Sequence, residues 1–429
     1  MTISFQIRSR SARSAARSGL IATAHGAFPT PAFMPVGTKG TVKGVPPWMV
    51  RATGAGIVLG NTYHLMLRPG ADRVAALGGL QRFSGWNGPM LTDSGGYQAY
   101  SLADTNRITE DGAVFRSIVD GSVVSLSPEV SMRVQNQLGA DIIMAMDDCP
   151  PSIDPATERI NQPRLSVAAR RDTDSRPGAA RFDHAARLRE AVDRSARWLA
   201  RCAAAHARPA EQALFGIVQG GVDLIERTRS AALTTATDLP GYAIGGVAVG
   251  ESPEQVARVV RHTAPLLPAD RPRYLMGVGY ERDILAAVLA GVDMFDCVLP
   301  TRNGRNANAF TPTGTLRLRN AKFACDAAPL VEGCDCPACA GVTMHDVRTG
   351  PFSRGYLRHL FTADEMLGPI LVTLHNLRHF QRFMEDIRSA IASDDWIGVC
   401  RRWPVAVDGL PNELREGVRP VIEPRSEPA

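Results

Sequence analysis

The sequence predicts an α/β protein: a (β/α)8 TIM barrel that is interrupted late in the chain by a small inserted subdomain. Three observations predict it. Short apolar runs alternate with helical patterns over about the first 300 residues, acidic residues end several of these runs, and a cysteine cluster follows them. With 429 residues, 45% of them hydrophobic and 21% charged, the chain is long enough for a large domain and excludes a disordered or fibrous protein.

Eight short apolar runs have the pattern of strands that are buried on both faces of a parallel sheet. They are Phe33–Thr38, Gly56–Asn61, Pro89–Asp93, Asp141–Asp147, Leu214–Gln219, Tyr242–Gly246, Arg273–Val278 and Met294–Leu299. Helical patterns such as Leu188–Ala204 and Arg282–Ala290 fill most of the gaps between them. Eight strands with helical crossovers favour closure into a barrel, and a doubly wound open sheet is the alternative, because periodicity does not distinguish the two.

We expect residues 1–309 to form the barrel, with a mobile insert near 152–187, where proline, glycine and polar residues break the pattern. Residues 310–376 should form the inserted subdomain, and 377–429 the final barrel helix and a tail whose prolines predict fraying beyond about residue 404. No apolar run approaches the ~18 residues of a membrane span. The first residues also lack a secretory signal, so we expect a cytoplasmic protein.

Three cysteines, Cys334, Cys336 and Cys339, form a C-x-C-x-x-C cluster. In a cytoplasmic protein this spacing favours a metal over disulfides, and a redox cluster is the alternative. Tetrahedral Zn²⁺ needs a fourth ligand, for which His375 is the best candidate. The histidines that compete on spacing alone are His345, His359 and His379. A closed Cys3His site offers no position to substrate, so this zinc should stabilise the fold of a zinc-binding subdomain.

The predicted carboxyl ends of the barrel strands carry an acid-rich set that suits a nucleobase or a sugar. The set is Asp93, Asp147, Asp148, Gln219, Gly246, Met276 and Asp296. Two glycines follow Asp93 and would let backbone amides approach a ligand, and Tyr97 could stack on a flat ring. Asp296 stands among apolar neighbours, which is unusual for a core strand unless the residue faces a cavity.

Two carboxylates at one rim can divide the work at an anomeric carbon, one as nucleophile and the other as acid and base. The same pair could instead bind a divalent ion. Arg302 and Arg305 follow Asp296 in a predicted loop, where their guanidinium groups suit phosphates or RNA bases. Eight basic residues precede the first acidic residue, Asp72, and the net charge is +5, which permits an anionic partner.

With these residues assembled, the chain resembles the bacterial-type tRNA-guanine transglycosylases over roughly residues 20–400. Six ordered motifs carry the resemblance. They are Thr-Asp-Ser-Gly-Gly-Tyr-Gln at 92–98, Met-Ala-Met-Asp-Asp-Cys at 144–149, Gly-Ile-Val-Gln-Gly-Gly at 216–221, Gly-Gly-Val-Ala-Val-Gly-Glu at 245–251, Tyr-Leu-Met-Gly-Val-Gly at 274–279 and Phe-Asp-Cys-Val-Leu-Pro-Thr-Arg at 295–302.

The resemblance implies an exchange of the wobble guanine of tRNAs with a GUN anticodon for free 7-aminomethyl-7-deazaguanine, preQ1, in queuosine synthesis. Asp296 would attack C1′ of the ribose and form a covalent enzyme-RNA intermediate, and Asp93 would handle protons on the departing and incoming bases. By the same carry-over, Asp147, Gln219 and the Gly246 amide read the base edge. The other base contacts implied are Tyr97 and Met276 around the ring, and the Val247 carbonyl and Glu251 at the aminomethyl group.

The same resemblance extends to the RNA, the metal and the partner subunit. Thr301, Arg302 and Arg305 would contact the anticodon loop, and His375 in His-Asn-Leu would complete the zinc site. Homodimers are common in the family. Ala248-Val249 and Cys149 resemble the bacterial pocket that takes preQ1, whereas the eukaryotic pocket admits the bulkier queuine. The archaeal branch carries further C-terminal domains, for which this chain has little room.

Two other classes of function share parts of this pattern. A non-catalytic RNA-binding subunit on the same fold would be expected to lack a carboxylate, yet Asp93 and Asp296 are both present. A barrel hydrolase acting on free nucleosides would use both acids, but it would leave the two arginines and the cysteine cluster unexplained. Assays on free nucleosides beside tRNA distinguish these classes.

Overall fold

The computed structural model describes residues 3–101, 106–154 and 183–410. The predicted insert at 152–187 therefore lies mostly outside the described residues, although its last four residues begin a helix. Within the described ranges, no helix combines the length and the apolar character that crossing a membrane would require.

The strands, numbered in chain order, form one barrel and several small antiparallel sheets. They are β1 Ser4–Arg10, β2 Arg17–Thr23, β3 Gly26–Thr30, β4 Ala32–Gly37, β5 Val58–Gly60, β6 Met90–Thr92, β7 Asn106–Ile108, β8 Ala113–Arg116, β9 Val123–Leu126, β10 Ile142–Met144, β11 Ala213–Val218, β12 Gly241–Ile244, β13 Arg273–Leu275, β14 Met294–Cys297, β15 Asn308–Thr311, β16 Gly314–Arg317, β17 Val342–Met344 and β18 Val347–Thr349.

The α-helices of the described residues are numbered in the same way. They are α1 Pro47–Ala52, α2 Thr62–Leu67, α3 Ala71–Ala76, α4 Gly79–Ser84, α5 Gly96–Ser101, α6 Pro128–Leu138, α7 His184–Ala205, α8 Leu224–Thr235, α9 Pro253–Thr263, α10 Glu281–Leu289, α11 Leu299–Arg305, α12 Pro337–Ala340, α13 Arg354–Thr362, α14 Leu367–Ser393 and α15 Trp396–Arg402. Short 3₁₀ helices lie at Ala264–Leu266, Ala321–Phe323 and Pro404–Gly409.

The eight predicted strands form a closed parallel barrel in the order β10-β11-β12-β13-β14-β4-β5-β6, which confirms the predicted fold class. Five of the observed strands lie inside their predicted runs, whereas β4, β11 and β12 each begin one residue before the predicted run, and helices connect consecutive strands. The alternative of an open doubly wound sheet is excluded, because β6 pairs with β10 and β14 pairs with β4 to close the circle.

Side chains alternate between the inside of the barrel and the layer between barrel and helices. Met34 and Leu91 belong to the interior cluster, while Phe33 lies in the outer layer and stacks on Phe380 of α14 at 4.8 Å between ring centroids. Because alternate residues of a strand face opposite sides, every strand of such a barrel needs apolar residues at consecutive positions. This requirement explains the continuous apolar runs in the sequence.

The amino end of the barrel is closed by the antiparallel sheet β1-β2-β3, whose Ile21 and Phe28 join the interior cluster. Arg17 on β2 forms a buried ion pair with Asp293, 2.6 Å between Nη2 and Oδ2, beside the first residue of β14. This sheet covers the amino end of the barrel, and ligands of such barrels bind at the opposite, carboxyl end of the strands.

The region after α11 differs from the barrel. The hairpin β15-β16 and the helices α12 and α13 contribute to a separate small apolar cluster, and a second hairpin, β17-β18, contributes none of its described side chains to it. Helix α14 starts in this region and continues onto the barrel, where Gln381 donates to the carbonyl of Phe33 at 3.0 Å. The predicted boundary between 376 and 377 falls inside this helix, and the proposed division into domains stays a prediction.

The prediction of a frayed chain after residue 404 is wrong for residues 404–410. Pro404–Gly409 form a 3₁₀ helix, and Ala406 and Leu410 are buried against the barrel helices. The amide of Val405 donates to the carbonyl of Pro312 at 3.1 Å. Proline fits such a turn because its ring fixes φ and the missing N–H is not needed at the start of a helix.

Candidate active site and metal centre

Four polar side chains and one methionine emerge at the carboxyl end of the barrel because each stands two residues beyond an interior position of its strand. The interior residues are Leu59, Leu91, Ile217, Tyr274 and Met294, and the residues two positions further are Asn61, Asp93, Gln219, Met276 and Asp296. Residues i and i+2 of a strand face the same side. The barrel therefore brings together side chains that are separated by more than two hundred positions in the sequence.

Asp93 is a buried carboxylate held by neutral donors. The amide of Thr62 donates to Oδ1 at 2.8 Å, and the side-chain amides of Asn61 and Gln98 donate to Oδ2, the latter at 2.9 Å. Burial, together with the nearby charge of Asp296, raises the pKa of Asp93 to about 6, although the three hydrogen bonds oppose the rise. A carboxyl with this pKa can both accept and donate a proton near neutral pH.

Asp296 lies at the end of β14 with one oxygen engaged and the other available. The Tyr274 hydroxyl and the Gly277 amide both donate to Oδ1, at 2.6 and 2.8 Å. Within the described residues, Oδ2 accepts no hydrogen bond. Burial raises the pKa of Asp296, and the two hydrogen bonds lower it. An oxygen that is free of donors and attached to an oriented carboxylate is suited to attack a carbon atom.

Neither carboxylate has a cationic partner in the part of the chain that the structure describes: no ion pair involves Asp93 or Asp296. The structure also does not support the alternative that the two carboxylates bind a divalent ion. Among the described residues, the one group of three or more potential ligands close enough to share a metal lies elsewhere. The pair is thus arranged as two mutually repelling acids, an arrangement typical of catalytic carboxylates.

Asp147 and Gln219 form a second polar group beside the first. Gln219 Nε2 donates to Asp147 Oδ2 at 2.5 Å, and the hydroxyl of Ser94 approaches Oδ1 at 3.5 Å. The backbone of Gln219 is fixed as well, because its amide donates to Ser230 Oγ at 2.9 Å. Burial raises the pKa of Asp147 to about 6. An acid and an amide fixed side by side present the alternating donors and acceptors that a purine edge requires.

The loop after β12 holds the other predicted base contacts. Val247 is buried, and Glu251 Oε2 accepts from the Val249 amide at 2.8 Å. Glu251 Oε1 is buried and has no hydrogen-bond partner among the described residues. Such an oxygen is costly unless a ligand supplies a donor. This half-satisfied carboxylate therefore fits the predicted contact with an exocyclic ammonium group.

The two residues predicted to enclose a ring are both half-buried at the rim. Tyr97 lies in the first turn of α5, immediately after the Asp93 loop. Met276 follows β13, and its sulfur lies 3.5 Å from the position that a Cβ on Gly245 would occupy. Each is thus attached to a segment that also carries a polar site residue, and the sandwich around a base stays a prediction.

Asp148 belonged to the predicted rim set but faces away from the other acids. Arg187 donates to both of its oxygens, at 2.9 and 2.7 Å, and Arg194 donates to Oδ2 at 2.5 Å. Both arginines lie on α7, so this neutralised carboxylate anchors the helix to the end of β10. Asp147 and Asp148 are neighbours in the segment after β10, yet their side chains have different partners.

The three residues predicted to contact RNA lie on helix α11, so the prediction of a loop after Asp296 is wrong. Pro300 stands in the first turn, where its missing N–H costs nothing and its fixed φ favours a helix. Thr301 is buried and donates to the carbonyl of Val298 at 3.1 Å, whereas Arg302 is exposed and Arg305 half-buried. Burial and the charge of Arg302 lower the pKa of Arg305, so this pair would be stabilised by an anion.

The predicted metal ligands come together as one buried group. Cys334, Cys336, Cys339 and His375 place their ligand atoms within 4.8 Å of one another. His375 Nδ1 lies 3.8, 3.4 and 3.4 Å from the three sulfurs in that order. Ligands of a tetrahedral zinc stand roughly 3.6 Å apart, so the donor set and its spacing fit one metal ion.

The surroundings of His375 settle which histidine joins the cysteines. Its Nε2 lies 2.8 Å from the carbonyl of Phe310, a contact that places the proton on Nε2 and leaves Nδ1 free for a metal. The competing histidines point elsewhere: His379 contacts Glu281 at 2.6 Å, and His345 and His359 are exposed. The group is closed on all sides by protein, which fits a structural rather than a catalytic metal.

Sequence reasoning missed three residues that hold the carboxylates, namely Asn61, Gln98 and Tyr274. Asn61 ended a predicted strand, and Tyr274 began a quoted motif, but neither was assigned a role. The alternation rule could have found both, since Asn61 stands at the same rim level as Asp93 and Tyr274 precedes Met276 on the inner face. Gln98 gave no such signal, because its position depends on how α5 begins.

Comparisons with known proteins identify the family to which the chain belongs. The family model described as queuine tRNA-ribosyltransferase matches residues 12–173 and 178–404. A queuine tRNA-ribosyltransferase of Symbiobacterium thermophilum is 49% identical over 393 residues, which cover 92% of this chain and 88% of the relative. Relatives of the same name are 48% identical in Nostoc, covering 93% of this chain and 96% of the relative, and 49% identical in Thermus thermophilus, covering 90% of each chain.

Proposed function

The chain belongs to the queuine tRNA-ribosyltransferase family, and we propose that it exchanges the wobble guanine of tRNAs with a GUN anticodon for preQ1. The reaction would pass through a covalent bond between Asp296 and the ribose. The observation that carries this proposal is the pair of carboxylates at one barrel mouth, Asp93 buried and Asp296 half-buried, each held by neutral donors and neither neutralised by a cation among the described residues.

In the first half-reaction, Asp296 Oδ2 attacks C1′ of the wobble nucleotide while the bond from C1′ to the base nitrogen breaks. Guanine leaves with the bonding electron pair and takes a proton from the Asp93 carboxyl. In the second half, preQ1 loses a proton to the Asp93 carboxylate, and its ring nitrogen attacks C1′ from the face that guanine left. Asp296 departs as a carboxylate, so the enzyme is restored and no redox cofactor or ATP is consumed.

Tyr274 and Gly277 support the nucleophile in this scheme. Both donate to Oδ1, so they orient the carboxylate and stabilise its charge when it departs from C1′. Asn61, Thr62 and Gln98 do the same for Asp93. Because all five donors are neutral, they add no opposite charge beside either carboxylate, and the pKa of Asp93, at about 6, stays near the range in which a carboxyl exchanges protons at neutral pH.

Recognition of the base would use Asp147, Gln219 and the Gly246 amide on its edge, with Tyr97 and Met276 on its faces. The unpaired oxygen of Glu251 supports preQ1 as the incoming base, because the aminomethyl group of preQ1 supplies an ammonium donor and guanine does not. The Val247 carbonyl would accept from the same group. The wobble base must leave the anticodon stack to reach this pocket.

The remaining assignments complete the proposal. Arg302 and Arg305 would contact the anticodon loop, whereas the buried hydroxyl of Thr301 positions their helix. The Cys3His group would hold one Zn²⁺ and stabilise the region around α12 and α14. We also propose a homodimer that works in the cytoplasm, where tRNA and the free base are available.

The test is incorporation of radiolabelled guanine into unmodified tRNA with a wobble guanine, with preQ1 and queuine as competitors. Time-dependent labelling that preQ1 suppresses more strongly than queuine is expected. A tRNA whose wobble position carries adenine is the matched control and should stay unlabelled.

Two results would contradict the proposal. If zinc-replete protein incorporates no labelled guanine into tRNA, base exchange is ruled out. Release of free base from small nucleosides would then favour the hydrolase. Labelling that only queuine suppresses would retain the exchange but overturn the choice of preQ1. Metal analysis of the same preparation should find about one zinc per chain.

A further inference from the structure

Arg227 is a completely buried arginine that lies behind the base-recognition loops. Its guanidinium group makes hydrogen bonds only to backbone carbonyls. Nε donates to Gly221 at 2.8 Å, Nη1 to Val218 at 3.0 Å and to Gly245 at 2.7 Å, and Nη2 to Gly246 at 2.9 Å. Within the described residues no carboxylate lies at ion-pair distance from it.

The four carbonyls belong to two segments of the chain, and Arg227 binds both of them. Val218 ends β11 and Gly221 lies in the loop that follows, on either side of Gln219, whereas Gly245 and Gly246 follow β12. One planar cation thus joins the segment that carries Gln219 to the segment that carries the Gly246 amide. A guanidinium group offers five donors in a fixed plane, which lysine cannot reproduce.

The hydrogen bond from Arg227 to the Gly245 carbonyl determines where the N–H of the same peptide points. In a trans peptide, C=O and N–H point in opposite directions. Because the Gly245 carbonyl faces Arg227, the Gly246 N–H faces away from it. That N–H donates to no acceptor in the described part of the chain, and Gly246 holds φ at +61°. Arg227 therefore keeps an unused backbone donor turned outward at the base pocket.

Glycine is required for this arrangement at Gly246. A Cβ on that residue would lie 2.1 Å from Gln219 Oε1, so the backbone approaches the Gln219 side chain directly. At Gly220, a Cβ would lie 2.8 Å from the Arg227 nitrogen, so that glycine lets the first turn of α8 approach the loop. Both close contacts show that the two loops and the start of α8 are packed as one unit.

A buried cation without a carboxylate partner is expensive to maintain. Burial lowers the pKa of Arg227 to about 10, and the charge of Glu251 favours its protonated form, so the side chain remains a cation at neutral pH. Arg273 has the same character at the opposite, amino end of the barrel: it is buried and its Nη2 donates to the Leu267 carbonyl at 2.6 Å. The carbonyl partners of Arg227 belong to the segments that carry the predicted base contacts, whereas Leu267, the partner of Arg273, does not.

We propose that Arg227 is a positioning residue for base recognition, which fixes the Gly245–Gly246 peptide and the Gln219 loop so that their donors meet the edge of the incoming base. This inference rests on the proposed function. It assigns to Arg227 no contact with the base itself. Loss of the guanidinium should let the Gly246 amide turn and weaken binding of the free base, while the carboxylates and the RNA contacts stay in place.

The experiment compares R227K, R227Q and R273K with the wild type in steady-state base exchange. For R227K we expect the KM for guanine to rise about tenfold, with kcat and the KM for tRNA within about threefold of wild type. R227Q keeps a planar amide donor without the charge, and should bind guanine more weakly than wild type even if R227K fails to fold. R273K is the matched control and should lower the melting temperature without changing the KM for guanine.

Two outcomes would overturn the inference. The first is an unchanged KM for guanine in folded R227K and R227Q, and the second is an equal rise in R273K, which would indicate a general loosening of the barrel. Calorimetric binding of guanine to the free proteins separates this inference from the proposed function. A wild type that binds guanine without exchanging it into tRNA contradicts the function alone, and the arginine variants can still be compared by their guanine affinity.

Discussion

The barrel mouth and the Cys3His group both bury several ionisable side chains, but they treat charge in opposite ways. At the mouth, Asp93 and Asp296 are surrounded by neutral donors, and burial raises the pKa of each. In the metal group, three sulfurs converge on one nitrogen, a geometry that a cation completes. The first arrangement leaves charge available to react, and the second removes it from reaction.

The difference teaches how burial serves two purposes in one chain. Carboxylates that lack a cationic partner weaken the fold when they ionise, because their pKa in the folded state lies above the value of about 3.9 in an unfolded chain. Their contribution to stability is present at acidic pH and is lost as the pH rises through about 6 for Asp93. The contribution of a metal group to stability has the opposite pH dependence. Its ligands must lose protons to bind the ion, so acid releases the metal and the stability is lost at low pH.

The largest expected effect comes from Asp296→Asn. Both hydrogen bonds to Asp296 use Oδ1, so an asparagine can keep them while losing the nucleophilic oxygen. The protein should fold, but base exchange should fall by at least about 10³-fold and the covalent tRNA adduct should disappear from denaturing gels. A yield of adduct equal to wild type would remove Asp296 from the role of nucleophile.

Cys336→Ser tests the other half of the comparison. Cys336 supplies a ligand, and its sulfur also accepts from the Cys339 amide at 3.3 Å at the start of α12. We expect loss of bound metal and a fall in the free energy of unfolding of ~3 kcal/mol. Cys325→Ser, at an exposed cysteine, is the control and should change neither quantity. Full metal retention by the Cys336 variant would contradict the ligand assignment.

Arg302→Ala should weaken tRNA binding without affecting the two carboxylates. Arg302 is exposed beside the mouth, so its loss removes a cation from the proposed anticodon contact without opening the core. We expect the KM for tRNA to rise about tenfold, with a weaker dependence on salt and little change in the KM for guanine. Arg8→Ala, on the exposed strand β1 at the other end of the barrel, is the matched control. An effect limited to guanine would refute the assignment.

The smallest effect is expected from Tyr274→Phe. The Tyr274 hydroxyl lowers the pKa of Asp296, so its removal raises that pKa and reduces the ionised fraction at acidic pH. Because attack requires the carboxylate, the acidic limb of the pH profile of kcat/KM should move to higher pH, with a loss of about fivefold near neutral pH. Tyr242→Phe removes a hydroxyl that donates to the Thr237 carbonyl, and its profile should not move. Identical profiles for all three proteins would deny Tyr274 this role.

Much of the fold and the site followed from local patterns. Continuous apolar runs predicted the eight barrel strands, because a strand buried on both faces needs apolar residues at every position. The spacing of Cys334, Cys336 and Cys339 predicted a metal group, because ligands close in sequence are forced to be close in space. The resemblance of six motifs gave the family, which the comparisons confirm.

Only the tertiary structure decided which side chains share a partner. Asp147 and Asp148 are neighbours in sequence, yet the first binds Gln219 and the second binds two arginines of α7. His375 prevailed over three other histidines because a long helix brings it to the cysteines. The donors to Asp93 and the carbonyls around Arg227 come from different segments of the chain, and closure of the barrel sets such distances, which no local pattern encodes.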